Sequence, residues 1–145
     1  MKRKLIAVLV GVGLGVAPMT PAFSQQKGAS GYKLSDGVVK IGVLTDLSGL
    51  YSDLSGAGAV LAVKMAIDDF KAMEKGKAFP IELVSADHQN KGDVASNKAR
   101  EWFERDQVDM ITDLVTTSTA LAVMPVAKEK NRITIVNGAA STPIT

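Results

Sequence analysis

Three short stretches of this chain concentrate hydroxyls and small residues. They are Thr45-Asp46-Leu47-Ser48-Gly49-Leu50-Tyr51-Ser52-Asp53, Thr116-Thr117-Ser118-Thr119 and Gly138-Ala139-Ala140-Ser141-Thr142. None of them contains Lys, Arg or His. Free backbone N–H groups at a helix start, with hydroxyls beside them, bind anions without a cationic side chain. The chemistry these stretches suit is therefore a grip on an anion, and a carboxylate is the natural candidate. The candidate ligand-binding residues are Ser48, Tyr51, Thr116, Thr117, Ser118, Ala139, Ala140 and Ser141. Each stretch alone has a plainer reading: Ser118 as a helix cap, Ser48-Gly49 as a turn. Three of them on one edge of a sheet favour a ligand.

Catalytic readings are poorer. Asp46, Asp87 and Asp113 lie at or near strand ends, as the acidic residues of a phospho-accepting receiver domain do. The first strand supplies only a single Asp, however, and the Lys that such a domain needs after a fifth strand is missing. His88 follows Asp87 without a visible nucleophile partner. Ser48 lies in Leu-Ser-Gly and not in the Gly-x-Ser-x-Gly elbow. Asp68-Asp69 reads as a solvated helix face, and Trp102 and Phe103 sit at core spacing. With Cys 0 and His 1, a disulfide framework, a thiol nucleophile and a two-His metal site are excluded. The expectation is a binding protein with no catalytic residues, no metal and no cofactor.

The elements that must position these residues follow from length and pattern. At 145 residues, 46% hydrophobic and 22% charged, the chain has the composition of one globular domain. A formal net charge of +2 is too small and scattered for nucleic acid. Residues 1–24 read as an export signal: Lys2, Arg3 and Lys4, then an uncharged run from Leu5 to Val16, then Ala22-Phe23-Ser24. That run is shorter than the ~20 residues a membrane-spanning helix needs. Removing residues 1–24 takes three positive charges away and turns +2 into −1. Residues 25–37 form a polar, flexible lead-in, and the remainder, 38–145, is the ligand-binding region. The export signal places the protein in the periplasm.

Within 38–145 strands and helices alternate. Val38–Leu44 is a short apolar run rich in β-branched residues, the first strand. A helix over Ala57–Glu74 carries Val60, Val63, Ile67 and Phe70 on one face and ends at Gly76. The second strand is Pro80–Val84. The second helix is capped by Asp93, runs to about Asp106 and has Ala95, Ala99, Trp102 and Phe103 as its stripe. Val108–Val115 is the third strand, Ser118 opens a third helix that Pro125 kinks, and Ile133–Val136 is the fourth strand. Such alternation gives an α/β fold with a parallel, doubly wound, Rossmann-like sheet, its strands apolar on both faces. In such sheets ligands bind outside the carboxyl ends of the strands, which is where the three hydroxyl-rich loops fall. No covering helix follows the fourth strand, so the chain is expected to be the front part of a longer protein.

Val39-Lys40-Ile41-Gly42-Val43-Leu44-Thr45-Asp46-Leu47-Ser48-Gly49, followed by a helix ending in Ala66-Ile67-Asp68-Asp69-Phe70, resembles the start of periplasmic substrate-binding proteins of ABC transporters, branched-chain amino acid (Leu/Ile/Val-binding) type. Asn97-Lys98-Ala99, Thr116-Thr117-Ser118-Thr119-Ala120 and Asn137-Gly138-Ala139-Ala140-Ser141 resemble later landmarks of that family. The resemblance covers Val38 to Thr145. It implies the first of two Rossmann-like lobes of a type I periplasmic binding fold, closing on a ligand between them. It also implies an α-carboxylate grip at Thr116, Ala139 and Ser141. The aromatic that the family often has in the first loop falls near Leu54, with Tyr51 three residues earlier. The implied partners are a small solute, an amino acid or related organic acid, and an inner-membrane ABC permease. An extracellular sensor domain of a receptor with the same fold is the alternative.

Overall fold

The structure is a computed structural model, and it describes residues 36–73 and 80–144. The export signal, all but the last two residues of the lead-in, and the helix stop expected at Gly76 lie outside the described residues. The element order is β1 (Val39–Thr45), α1 (Gly56–Ala72), β2 (Ile81–Asp87), α2 (Gly92–Glu104), β3 (Met110–Thr112), α3 (Thr117–Glu129) and β4 (Ile133–Ile135). This is the alternation expected, with corrected boundaries.

The corrections have local causes. β2 extends past Val84, because Ser85, Ala86 and Asp87 continue the ladder opposite Val43, Leu44 and Thr45. Backbone pairing there does not require apolar side chains. β3 keeps only the middle of the expected Val108–Val115. The Val108 N–H bonds the Trp102 carbonyl at 3.0 Å as part of the exit from α2. At the other end, Asp113 turns to φ +84°, which breaks the extended backbone. The N-cap of α2 is Lys91, not Asp93; Asp93 lies in the first turn, where its charge complements the helix dipole. The N-cap of α3 is Thr116, not Ser118, and the helix continues through Pro125.

All strand pairs are parallel, in the order β2-β1-β3-β4. Alternation along the strands divides the side chains between two faces. Leu44, Val84, Ala86, Ile111 and Val136 point to the face that α2 and α3 cover. There they meet Ala95, Ala99, Trp102 and Phe103 of α2, and Ala120, Val123, Val126 and Ala127 of α3. The stripe expected on α2 is fully buried. α1 packs against β1 and β2 and buries Ile67, with Val60, Val63 and Phe70 half-buried. The expectation of strands buried on both sides holds at the sheet centre, where Val43 and Leu44 are completely enclosed. It fails at the edge: Ile133 and Ile135 of β4 are 61% and 48% exposed.

Candidate functional site

The strand order creates a crevice at the carboxyl edge. Chain leaving β1 turns towards β2 and chain leaving β3 turns towards β4, so the two loops diverge between neighbouring strands. What lies there depends on how each loop is held.

The β1–α1 loop is fixed by carboxylates. Asp46, fully buried, accepts the Gly49 N–H at 2.8 Å and the Tyr51 N–H at 3.0 Å. A side chain at position 49 would strike that carboxylate, since an added Cβ would lie 2.6 Å from Asp46 Oδ1. Asp87, at the end of β2, reaches across to accept the Leu47 N–H at 3.0 Å and the Ser48 hydroxyl at 2.5 Å. It also accepts the Gln89 N–H at 2.7 Å within its own loop. Desolvation works against the Asp87 charge, but the bonds from Ser48, Gln89 and Leu47 together outweigh it and hold the carboxyl below its ordinary value of 3.8. Asp113 accepts the Ser55 hydroxyl, and Ser55 Oγ also meets Thr45 Oγ1 at 2.9 Å. The three strand-end carboxylates are thus engaged in shaping loops. Among the described residues no group of three His, Cys, Asp or Glu side chains is placed to hold a metal ion.

The β3–α3 loop delivers the start of a helix. Thr116 is buried and its hydroxyl does not cap the helix. It lies 2.9 Å from Thr119 Oγ1 and 3.3 Å from Ser118 Oγ, while Thr119 Oγ1 bonds the Thr116 carbonyl at 2.9 Å. The first intrahelical bond is Ala120 N–H to Thr116 O at 3.0 Å. The N–H groups of the first turn therefore have no side-chain cap, and the positive end of the helix dipole faces outward.

The segment after β4 closes the third side. Gly138 passes so near Val115 that an added Cβ would lie 3.0 Å from its carbonyl oxygen and 3.2 Å from its Cα. Beyond it, the Ile144 N–H bonds the Ser141 carbonyl at 3.0 Å, making a turn. The Ser141 hydroxyl is buried without a hydrogen-bond partner among the described residues.

Together these segments enclose an open cleft of about 370 Å³. Six of the expected ligand residues line it: Tyr51, Thr116, Thr117, Ser118, Ala139 and Ala140. Two do not. Ser48 is turned to Asp87, and Ser141 is not among the lining residues, its hydroxyl being buried. Four residues outside the eight candidates also line it: Leu54, Asn90, Val115 and Gly138. Leu54 stands where the family resemblance puts an aromatic. Asn90 comes from a fourth loop, after β2, which the short reading of that strand hid. Among the described residues no charged side chain belongs to the lining.

His88, beside Asn90, is fully buried. Its Nδ1 accepts the Asn90 N–H at 3.0 Å, so the proton of the neutral ring sits on Nε2, which has no partner among the described residues. Burial lowers its pKa below 6.5, against the opposing pull of Asp46, Asp87 and Asp113.

A family model described as periplasmic binding protein matches residues 38–144. Three solved structures are similar. A periplasmic binding protein from Burkholderia mallei is 46% identical, with a TM-score of 0.68 over 74% of this chain and 28% of that one. A branched-chain amino acid ABC transporter periplasmic ligand-binding protein from Burkholderia xenovorans is 48% identical, with a TM-score of 0.65 over 71% and 27%. An ABC transporter solute-binding protein from R. palustris, in complex with 4-hydroxybenzoate, is 27% identical, with a TM-score of 0.59 over 74% and 28%. No curated protein is similar enough to count as a match. The chain spans less than a third of the length of these structures. The four-stranded parallel sheet, its topological crevice and these similarities lead to one conclusion: the chain belongs to the periplasmic binding protein family.

Proposed function

We propose that this chain carries one wall of the ligand site of a periplasmic solute-binding component of an ABC transporter, and that the solute is an amino acid or related organic carboxylate. The observation that carries the reading is the uncapped start of α3, opening into a cleft with hydroxyls and small residues and no charged side chain. Helix N–H groups suit an anion there. The carboxylate would lie against the N–H groups near Thr116 and Ala139, with two hydroxyls as further donors: that of Thr116, on turning away from Thr119 Oγ1, and that of Ser141. Ser141 contributes if its buried, unpartnered hydroxyl rotates towards the cleft when a ligand fills it. The similar structures include one described by branched-chain amino acids and one holding 4-hydroxybenzoate, which supports the organic-carboxylate class without choosing within it. The ligand would be closed between this lobe and a second one, and an inner-membrane permease would receive it. The protein performs no chemistry on its solute.

The test is ligand-dependent stabilisation of the complete protein by L-leucine, L-phenylalanine and benzoate, each against its amide. The carboxylate that fits should stabilise by roughly 2.7 kcal/mol at a hundredfold excess over its Kd, and the amide should not. Equal effects of acid and amide, or none from any probe, would overturn the reading. Expression with the native leader should give a periplasmic protein beginning at Gln25, checked by N-terminal sequencing.

A further inference from the structure

We infer that the side-chain amide of Asn90 is an additional neutral donor to the ligand carboxylate, held in place by His88 and Asp87; this rests on the reading of the cleft given above. Asn90 lines the cleft, and its amide makes no hydrogen bond among the described residues. Its backbone is left-handed: Gln89 and Asn90 are consecutive non-glycine residues at φ +52° and +53°, a conformation that Asn tolerates better than most side chains.

Three bonds hold that turn. The Gln89 N–H goes to Asp87 Oδ1 at 2.7 Å, the Asn90 N–H to His88 Nδ1 at 3.0 Å, and the Lys91 N–H to the His88 carbonyl at 2.8 Å. His88 is itself tied to the sheet through its N–H to the Thr45 carbonyl at 2.8 Å. The turn also presses on α3: a Cβ at Gly92 would lie 3.2 Å from the Ser118 carbonyl. Asn90 is thereby fixed beside the helix start that the carboxylate would occupy. In a lining without a cation, each carboxylate oxygen depends on neutral donors, and an amide N–H₂ is one.

Calorimetric titration of the complete protein with L-leucine, L-phenylalanine and benzoate tests this. Asn90→Gly tolerates the left-handed backbone and removes the amide. Asn90→Asp also tolerates it and replaces the donor by an anion. The Gly variant should lose roughly 10- to 150-fold in affinity for whichever acid the parent binds. The Asp variant should lose more than the Gly variant, and both should keep the parent's melting temperature without ligand. A turn-forming role alone would leave both affinities unchanged. If both variants bind like the parent while Thr116→Val is weakened, Asn90 is no donor and the cleft reading stands. If Thr116→Val also binds like the parent, or no probe binds, the cleft reading fails and the Asn90 inference with it.

Discussion

Replacing Gly42 by Ala should destabilise the protein through one identifiable contact. Gly42 is in the middle of β1, on the face covered by α2, and is buried. An added Cβ would lie 2.6 Å from Trp102 Cζ3, 2.8 Å from Cε3 and 3.3 Å from Val108 Cγ1. Non-bonded carbons prefer about 3.5–4.0 Å, so the indole must retreat by roughly an ångström. It has little room, being 4% exposed in a cluster with Ala95, Ala99 and Val108. Overpacking of this kind costs roughly 1–3 kcal/mol. Removing glycine from a strand interior returns about 0.5–1 kcal/mol of backbone entropy. The net expectation is a loss of about 1–2 kcal/mol. Urea unfolding of parent, Gly42→Ala, Trp102→Phe and the double variant gives the cycle. Both clashing atoms belong to the six-membered ring of the indole, which Phe lacks in that position. The double variant should therefore be less destabilised than the sum of the singles by about 1 kcal/mol. Additive losses, or a Gly42→Ala protein as stable as the parent, would refute the argument.

Other consequences can be measured alongside. Ser141→Ala and Thr116→Val should each weaken carboxylate binding by roughly 10- to 150-fold in calorimetry. Thr116→Val also loses the contact to Thr119, while Lys64→Ala, whose pair with Asp68 is exposed, should change little. Gly138→Ala should reduce affinity, because relieving the 3.0 Å approach to the Val115 carbonyl shifts Ala139 and Ala140 by a few tenths of an ångström. His88 makes stability depend on pH. Its folded pKa lies below 6.5, so below that pH the unfolded chain binds a proton that the folded one refuses. Stability should be intact above 6.5 and fall as pH drops below it, by at most about 1.4 kcal/mol per pH unit, and His88→Gln should flatten that slope in urea titrations. Asp87, depressed below 3.8, adds a separate loss only at more acid pH.

The strand–helix alternation was legible because its signals are local. β-branched runs marked β1 and β4, and the spacing of Ala95, Ala99, Trp102 and Phe103 marked a helix face that the structure buries completely. The parallel sheet followed, since alternating strands and helices leave few other arrangements. Loop chemistry was legible too, as residue types: hydroxyls and small residues, without cations, after the strands. Strand order was not local, and it placed the crevice between β1 and β3. The ends of β2 and β3 were misread because ladder bonds and a single left-handed residue, Asp113, set them, neither of which leaves an apolar pattern. The same two causes hide Asn90, which reaches the cleft through a turn held by Asp87 and the buried His88. Ser48 shows the converse: its type suited a ligand, but Asp87, 39 residues away in the chain, claims its hydroxyl. Local patterns along the chain set which elements form and which residue types the loops carry. Which hydroxyls remain available depends on partners that folding brings together across strands distant in sequence.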